Sequence, residues 1–234
     1  MLMKWPAIQG RLKVVMVGAG GNGSEMLSAL AKIDSGLRAF GHKGIDVLVL
    51  DDDVVSEANC YRQKFWFQDI GQYKGLVLVH RLNQVMGLNW KAIPEKFTPE
   101  YIVNADLIIS CVDNYEARKL IYQSKDQASP HAIWMDLGNG DKFGQIVIGT
   151  LHDENPEPCS NVVELYPEIL ITEDIPNKNS CSAIESLTRQ DLMLNQMMAC
   201  QAGNMLWQLI RKGSISFNEL RVDSEACEVL TVNG

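Results

Sequence analysis

The pattern of apolar and polar positions divides the chain into short, dense β-branched runs alternating with helical stretches. LKVVMV (Leu12 to Val17) is a strand by its β-branched density, ended by the glycine-rich Gly18-Ala19-Gly20-Gly21-Asn22-Gly23 and followed by the helical pattern SEMLSALAKI. IDVLVL (Ile45 to Leu50) predicts a second strand, reached through the glycine-punctuated loop GLRAFGHKG. Downstream, a helix is expected from about Lys74 to Met86, and a short strand in LNWKAIPEKF, broken at Pro94. ADLIISCVDN (Ala105 to Asn114) reads as a buried strand followed by the helical YEARKLIYQSKDQA. HAIWMDLGNG and KFGQIVIGT read as two more strands around a glycine turn.

Strands apolar on both faces and alternating with helices imply a mostly parallel sheet covered on both sides. The fold class expected is therefore α/β, a Rossmann-like doubly wound mixed sheet with antiparallel strands at one edge. From Leu151 to Ser180 the pattern breaks. Four prolines and many carboxylates rule out a core helix and predict a long crossover or surface loop carrying a short helix. A long helical pattern then runs to Gly213 and SFNELRVD closes as a strand. The chain reads as a single domain over 1–234, with the crossover at about 151–183 and the C-terminal helix and strand at 184–223. The apolar positions of that helix, Met193, Met197, Met198, Met205 and Trp207 among them, suit a core or a dimer surface, mostly the former.

Composition changes this picture little. A formal charge of -8 disfavours non-specific binding to nucleic acid or to a membrane, because no basic stripe is present to neutralise phosphates. No apolar run is long enough to span a bilayer. The six cysteines are scattered without a CxxC pair, which argues against a disulfide framework or a four-thiolate zinc site and fits a reducing cytoplasm.

The candidate chemistry gathers at predicted strand ends. Gly18, Gly20 and Gly23 match G-x-G-x-x-G between a strand and a helix, the context in which backbone amides and a helix dipole receive a phosphate. A tight turn without ligand is the plainer alternative. Asp51, 28 residues beyond Gly23, is placed to take ribose hydroxyls of either ATP or a dinucleotide. Arg62 offers a forked set of donors to a polyphosphate, Lys74 a point charge, and Asp113 a carboxylate where a divalent ion bridging phosphates would sit. Such groups suit adenylyl or phosphoryl transfer better than hydride transfer, since negative charge develops on leaving pyrophosphate. Taken singly, Arg62 and Asp113 also suit an internal ion pair, Lys74 a solvated helix position and Asn59 a turn.

The segments VGAGGNGS, LDDDVVSEANCYRQ, IGQYKG, DLIISCVDNYEAR, FGQIVIG and NSCSAIESLTRQDL, in this order, resemble the ThiF superfamily of ubiquitin-activating-type, MoeB-like enzymes. The resemblance implies a ThiF-type adenylation domain that uses ATP and Mg2+ to adenylate the C-terminal carboxylate of a ubiquitin-like or sulfur-carrier-like protein ending in glycine. It implies that Gly18, Gly20, Gly21 and Gly23 form the phosphate loop and that Asp51 holds the ribose. Asn59 and Arg62 would contact phosphates, Lys74 would stabilise the transferred centre, Asp113 would meet magnesium, and Asp53 would support them. Cys181 matches the cysteine to which some relatives transfer the activated chain, with Cys159 a second candidate; an unreactive, partly buried thiol is the alternative.

Relatives commonly form homodimers in which an arginine ahead of the first strand reaches the partner's ATP; here about eleven residues precede that strand, and Arg11 stands nearest that role. The compact length and SCSAIESLTRQDL are similar to the ThiF-family proteins of the PRTRC cassette. Two other functions share the glycine loop: an NAD(P)- or FAD-dependent oxidoreductase, and a non-catalytic ThiF-fold module that binds a ubiquitin-like tail.

Overall fold

A computed structural model describes residues 3–5, 10–152, 155, 158–174 and 190–232 of the chain. Ten strands lie within them: β1 (Met3–Lys4), β2 (Leu12–Val17), β3 (Ile45–Leu50), β4 (Lys91–Ile93), β5 (Leu107–Ser110), β6 (Ile133–Asn139), β7 (Phe143–Thr150), β8 (Ser214–Ile215), β9 (Glu219–Asp223) and β10 (Glu228–Val232). The helices are α1 (Gly21–Ala39), α2 (Asn59–Arg62), α3 (Lys74–Met86), α4 (Tyr115–Gln123), α5 (Val162–Leu165) and α6 (Leu194–Lys212).

Eight strands form one sheet in the order β10-β9-β7-β6-β5-β2-β3-β4, and β1 pairs with β8 apart from it. The neighbours from β4 to β6 are parallel, while β6-β7, β7-β9 and β9-β10 are antiparallel. The mixed doubly wound sheet expected from the apolar runs is thus the observed fold, with its antiparallel partners at one edge.

Both faces of the sheet are covered because side chains alternate along each strand. In β2, Leu12, Val14 and Met16 enter the core shared with α1, α3 and α6, whereas Val15 and Val17 enter the core of the opposite face. In β6, Ile133, Met135 and Leu137 take the first face, and Trp134 takes the second with Val162 and Val163 of α5. Continuous apolar runs were the signature of this double burial.

The chain winds from β2 to β3 and β4 on one side, then returns to place β5 and β6 on the other. Strand order therefore reverses between β2 and β5, and a crevice opens outside their carboxyl ends.

Three boundaries differ from the sequence reading. β5 is shorter than the Ala105–Asn114 run because Cys111, Val112 and Asp113 leave the ladder and line the crevice. Residues 190–193 are not helical, so the last helix begins at Leu194 within the described chain, ending at Gly213 with φ +69°. The chain also continues past Asp223 into β10, which the sequence reading left out. The crossover carries the short helix expected of it, α5, followed by a turn of 3-10 helix at Pro167–Leu170. Among the described residues no helix is long and apolar enough to cross a membrane.

Candidate functional site

The crevice at the reversal point encloses about 850 Å³ and is lined by Gly18, Gly20, Gly21, Asp51, Asp53, Arg62, Lys74 and Asp113, among others. Its floor begins with the turn after β2. Gly18 has φ +92°, and a Cβ there would stand 2.7 Å from the Cys111 carbonyl oxygen, so the turn admits only glycine without a shift. A Cβ on Gly23 would stand 2.1 Å from the Gly18 carbonyl oxygen, which lets the first turn of α1 press against the strand end. Gly23 itself is not part of the lining. Helix α1 starts at Gly21 with no side-chain cap, leaving first-turn amides and the positive end of its dipole at the crevice.

Asp51 follows β3. Its Oδ2 accepts the Ala19 amide at 2.6 Å and its Oδ1 the Asp53 amide at 3.0 Å. Burial pushes this carboxyl up, opposed by the Ala19 amide and the nearby Lys74 charge. Asp53 pairs with Lys74, its Oδ2 accepting from Nζ at 2.7 Å. The lysine side chain is 8% exposed and the aspartate 68%, so the ammonium is buried behind a partner that faces water.

Arg62 lies at the end of α2, where its guanidinium Nη1 donates to Gln190 Oε1 and its carbonyl accepts from Asn195 Nδ2 at 3.2 Å. Asn59 does not line the crevice; its Oδ1 accepts the Ser56 amide at 2.8 Å and so closes a turn. Asp113 is exposed at the rim beyond β5. Arg11 is engaged with Asp46, Nη1 to Oδ1 at 2.5 Å. Cys159 is buried outside the crevice lining, and burial pushes its thiol up. Cys181 lies outside the described residues.

Sequence reading missed a buried pair below the rim, Arg118 and Asp136. Arg118 Nε donates to Asp136 Oδ1 at 2.9 Å, with side chains 9% and 5% exposed. Burial works against the Arg118 charge, but Asp136 more than offsets it and the guanidinium pKa is raised. Asp136 also accepts from the Ser110 hydroxyl, which accepts from Trp134 Nε1 at 2.7 Å. A lone carboxylate inside the apolar run IWMDL was the signal available. Also missed was a chain of amides in which Asn22 donates to Asn139 (3.2 Å) and Asn139 to Asn195 (3.0 Å). Asn22 Oδ1 is buried without a hydrogen-bond partner.

The donor set suits a nucleotide triphosphate: the uncapped start of α1, the cations Arg62 and Lys74, and the Asp51 carboxylate line the same crevice. Among the described residues no three His, Cys, Asp or Glu side chains converge on a metal position. One rim carboxylate nevertheless fits Mg2+, which keeps waters and is held through one or two carboxylates plus substrate phosphates.

The ThiF family model matches residues 9–202. The SAMP-activating enzyme E1 of Haloferax volcanii is 30% identical over 125 residues, 50% of this chain and 43% of that protein. Among solved structures, PaaA superposes with a TM-score of 0.67 at 18% identity, covering 94% of this chain and 63% of its own. MccB of E. coli with ATP gives a TM-score of 0.65 at 17% identity, over 96% and 64%. MccB with AMPCPP and MccA gives 0.62 at 16%, over 95% and 63%. This chain therefore spans less than two thirds of each of these relatives, and at such identities the solved structures show a shared fold.

Proposed function

The chain belongs to the ThiF family, and on that premise we propose that it binds ATP with Mg2+ and adenylates the C-terminal carboxylate of a ubiquitin-like or sulfur-carrier-like protein. The observation that carries this reading is the meeting of the Gly18–Gly23 turn, Asp51, Arg62, Lys74 and Asp113 around one crevice at the reversal of strand order. Two further facts support it. The Haloferax relative is named for activating SAMP, and MccB, of the same fold, has been crystallised with ATP.

In the reaction, a carboxylate oxygen of the carrier forms a bond to the α-phosphorus of ATP, the α–β bridging bond breaks, and pyrophosphate leaves with the electron pair. The nucleophile is already ionised at neutral pH, so no general base is required. The first-turn amides of α1 receive phosphate oxygens, and Asp51 accepts the ribose hydroxyls. Lys74 exchanges Asp53 for phosphate at little cost, because Asp53 is exposed and returns to water. Arg62 presents its fork to the same charge. Mg2+ bound with the nucleotide, and met by Asp113, would neutralise part of the developing charge. Asn59 has its role in this scheme through the turn that holds Arg62.

We further assign the chain to the PRTRC-type subgroup, to a cytoplasmic location and to a homodimer. Five exposed large apolar side chains within thirteen residues, Tyr61, Trp66, Phe67, Ile70 and Tyr73, with the Tyr61 and Phe67 rings in edge contact, support the last of these. Cys181 is assigned as acceptor of the activated chain: its thiolate would bond to the acyl carbon of the adenylate, AMP would leave with the electron pair of the broken C–O bond, and a thioester would result. The experiment is ATP–pyrophosphate exchange with small ubiquitin-like carrier proteins ending in glycine: exchange that depends on the carrier is expected, and Asp113→Ala is expected to abolish it. Exchange retained in Asp113→Ala contradicts the metal role, and tight NADH binding without ATP binding contradicts the whole reading.

A further inference from the structure

Asp113 stands on a loop whose main chain is held on both sides by one side chain. Arg118, one turn into α4, donates from Nη2 to the Val112 carbonyl at 2.9 Å and from Nη1 to the Asn114 carbonyl at 3.2 Å. Its third contact, Nε to Asp136 Oδ1, ties the guanidinium to β6, and Ser110 Oγ bonds the same oxygen from β5. The carbonyls immediately before and after Asp113 are thus fixed by a planar fork whose base is anchored to two strands. Asn114 is fixed again as the cap of α4, its Oδ1 accepting the Ala117 amide at 2.9 Å. Within this clamp the Asp113 carboxylate is the group left facing solvent at the crevice rim.

Resting on the reading of Asp113 given above, we propose that Arg118 is a positioning residue: it aims the Asp113 carboxylate at the metal of the bound nucleotide by bracketing the carbonyls of Val112 and Asn114. The geometry asks for arginine in particular. A lysine at this position supplies charge to Asp136 but no planar fork to span two carbonyls and a carboxylate together. The buried charge pair alone would need neither carbonyl contact. Four residues lie between Asp113 and Arg118, so the clamp on the first turn of α4 reaches back across the cap residue Asn114 to the loop that carries the side chain it orients.

The test is calorimetric titration of ATP into the wild type, Asp113→Asn and Arg118→Lys, each in excess Mg2+ and in EDTA. The wild type is expected to bind ATP more tightly in Mg2+, and Asp113→Asn to lose that gain. Arg118→Lys is expected to match the wild type in EDTA, since the glycine turn and Asp51 are untouched, while its Mg2+-linked gain falls about 10- to 100-fold. Unchanged affinity in EDTA separates this role from a general loss of structure.

If Arg118→Lys melts below the assay temperature, the uncharged double variant Arg118→Gln/Asp136→Asn makes the same comparison. A gain lost in Asp113→Asn but intact in Arg118→Lys, or in the double variant, overturns the role of Arg118 alone. A wild type indifferent to Mg2+, or a gain that survives Asp113→Asn, overturns the reading of Asp113 and this one with it.

Discussion

Asp51 concentrates the electrostatic tension of the site. Its carboxylate accepts two backbone amides, yet burial holds its pKa above the ordinary value. The folded chain therefore takes up this proton more readily than the unfolded one, and Asp51's share of stability increases as pH falls through its raised pKa. On the proposed ribose role, nucleotide binding has the opposite dependence, because ribose hydroxyls would donate to the ionised form. ATP affinity is expected to weaken on acidification from above the usual aspartate pKa of about 3.9, and Asp51→Asn to flatten the profile. A wild-type affinity unchanged across that range would contradict the ribose role.

Gly18 and Gly20 make a second pair of expectations. Gly18→Ala places a methyl against the Cys111 carbonyl at a positive φ and should cost about 2–4 kcal/mol in urea unfolding. Gly20→Ala meets only Gln63 Nε2, at 3.9 Å, and should leave unfolding within about 0.5 kcal/mol while weakening ATP binding at the crevice wall. Equal destabilisation by the two would contradict this contrast. Both glycines and Asp51 were legible in the sequence because their role is local, within one strand, turn and helix. Arg118 and Asp136 were not, since their pairing depends on β5 and β6 lying side by side.

At the scale of elements, β2, β3 and α3 follow from the sequence because each has an apolar run with a glycine or a sharp polar boundary. β10 was hidden for a physical reason: Val229 and Leu230 are exposed, so its apolar residues follow no core-facing alternation. β1 has two residues, too few for any period. The start of α6 was blurred because TRQDLM continues a helical rhythm, whereas Gln190 and Asp191 turn to bind Gly140 and Ser224. The crossover is tied to α4 by Asp174, whose carboxylate accepts the Tyr115 and Glu116 amides at 2.6 and 2.9 Å. Asp174→Ala should remove a helix cap and cost about 1 kcal/mol in chemical denaturation. A change below about 0.3 kcal/mol would show that Asn114 caps α4 sufficiently alone.

On the scale of the whole molecule, the reversal of strand order, legible only as an alternation of strands and helices, determines where the crevice opens. The proposed homodimer predicts that sedimentation velocity gives twice the 26.1 kDa chain mass, and that Phe67→Ser shifts it toward the single chain. A single-chain mass for the wild type at micromolar concentration would contradict it.

Everything proposed about catalysis depends on where a triphosphate lies, and the most direct measurement is a crystal structure with AMPCPP and Mg2+. The expected result is a ribose on Asp51, phosphates across the Gly18–Gly23 turn toward Arg62 and Lys74, and the metal beside Asp113. A crevice without nucleotide, or a nucleotide bound elsewhere on the chain, would contradict it.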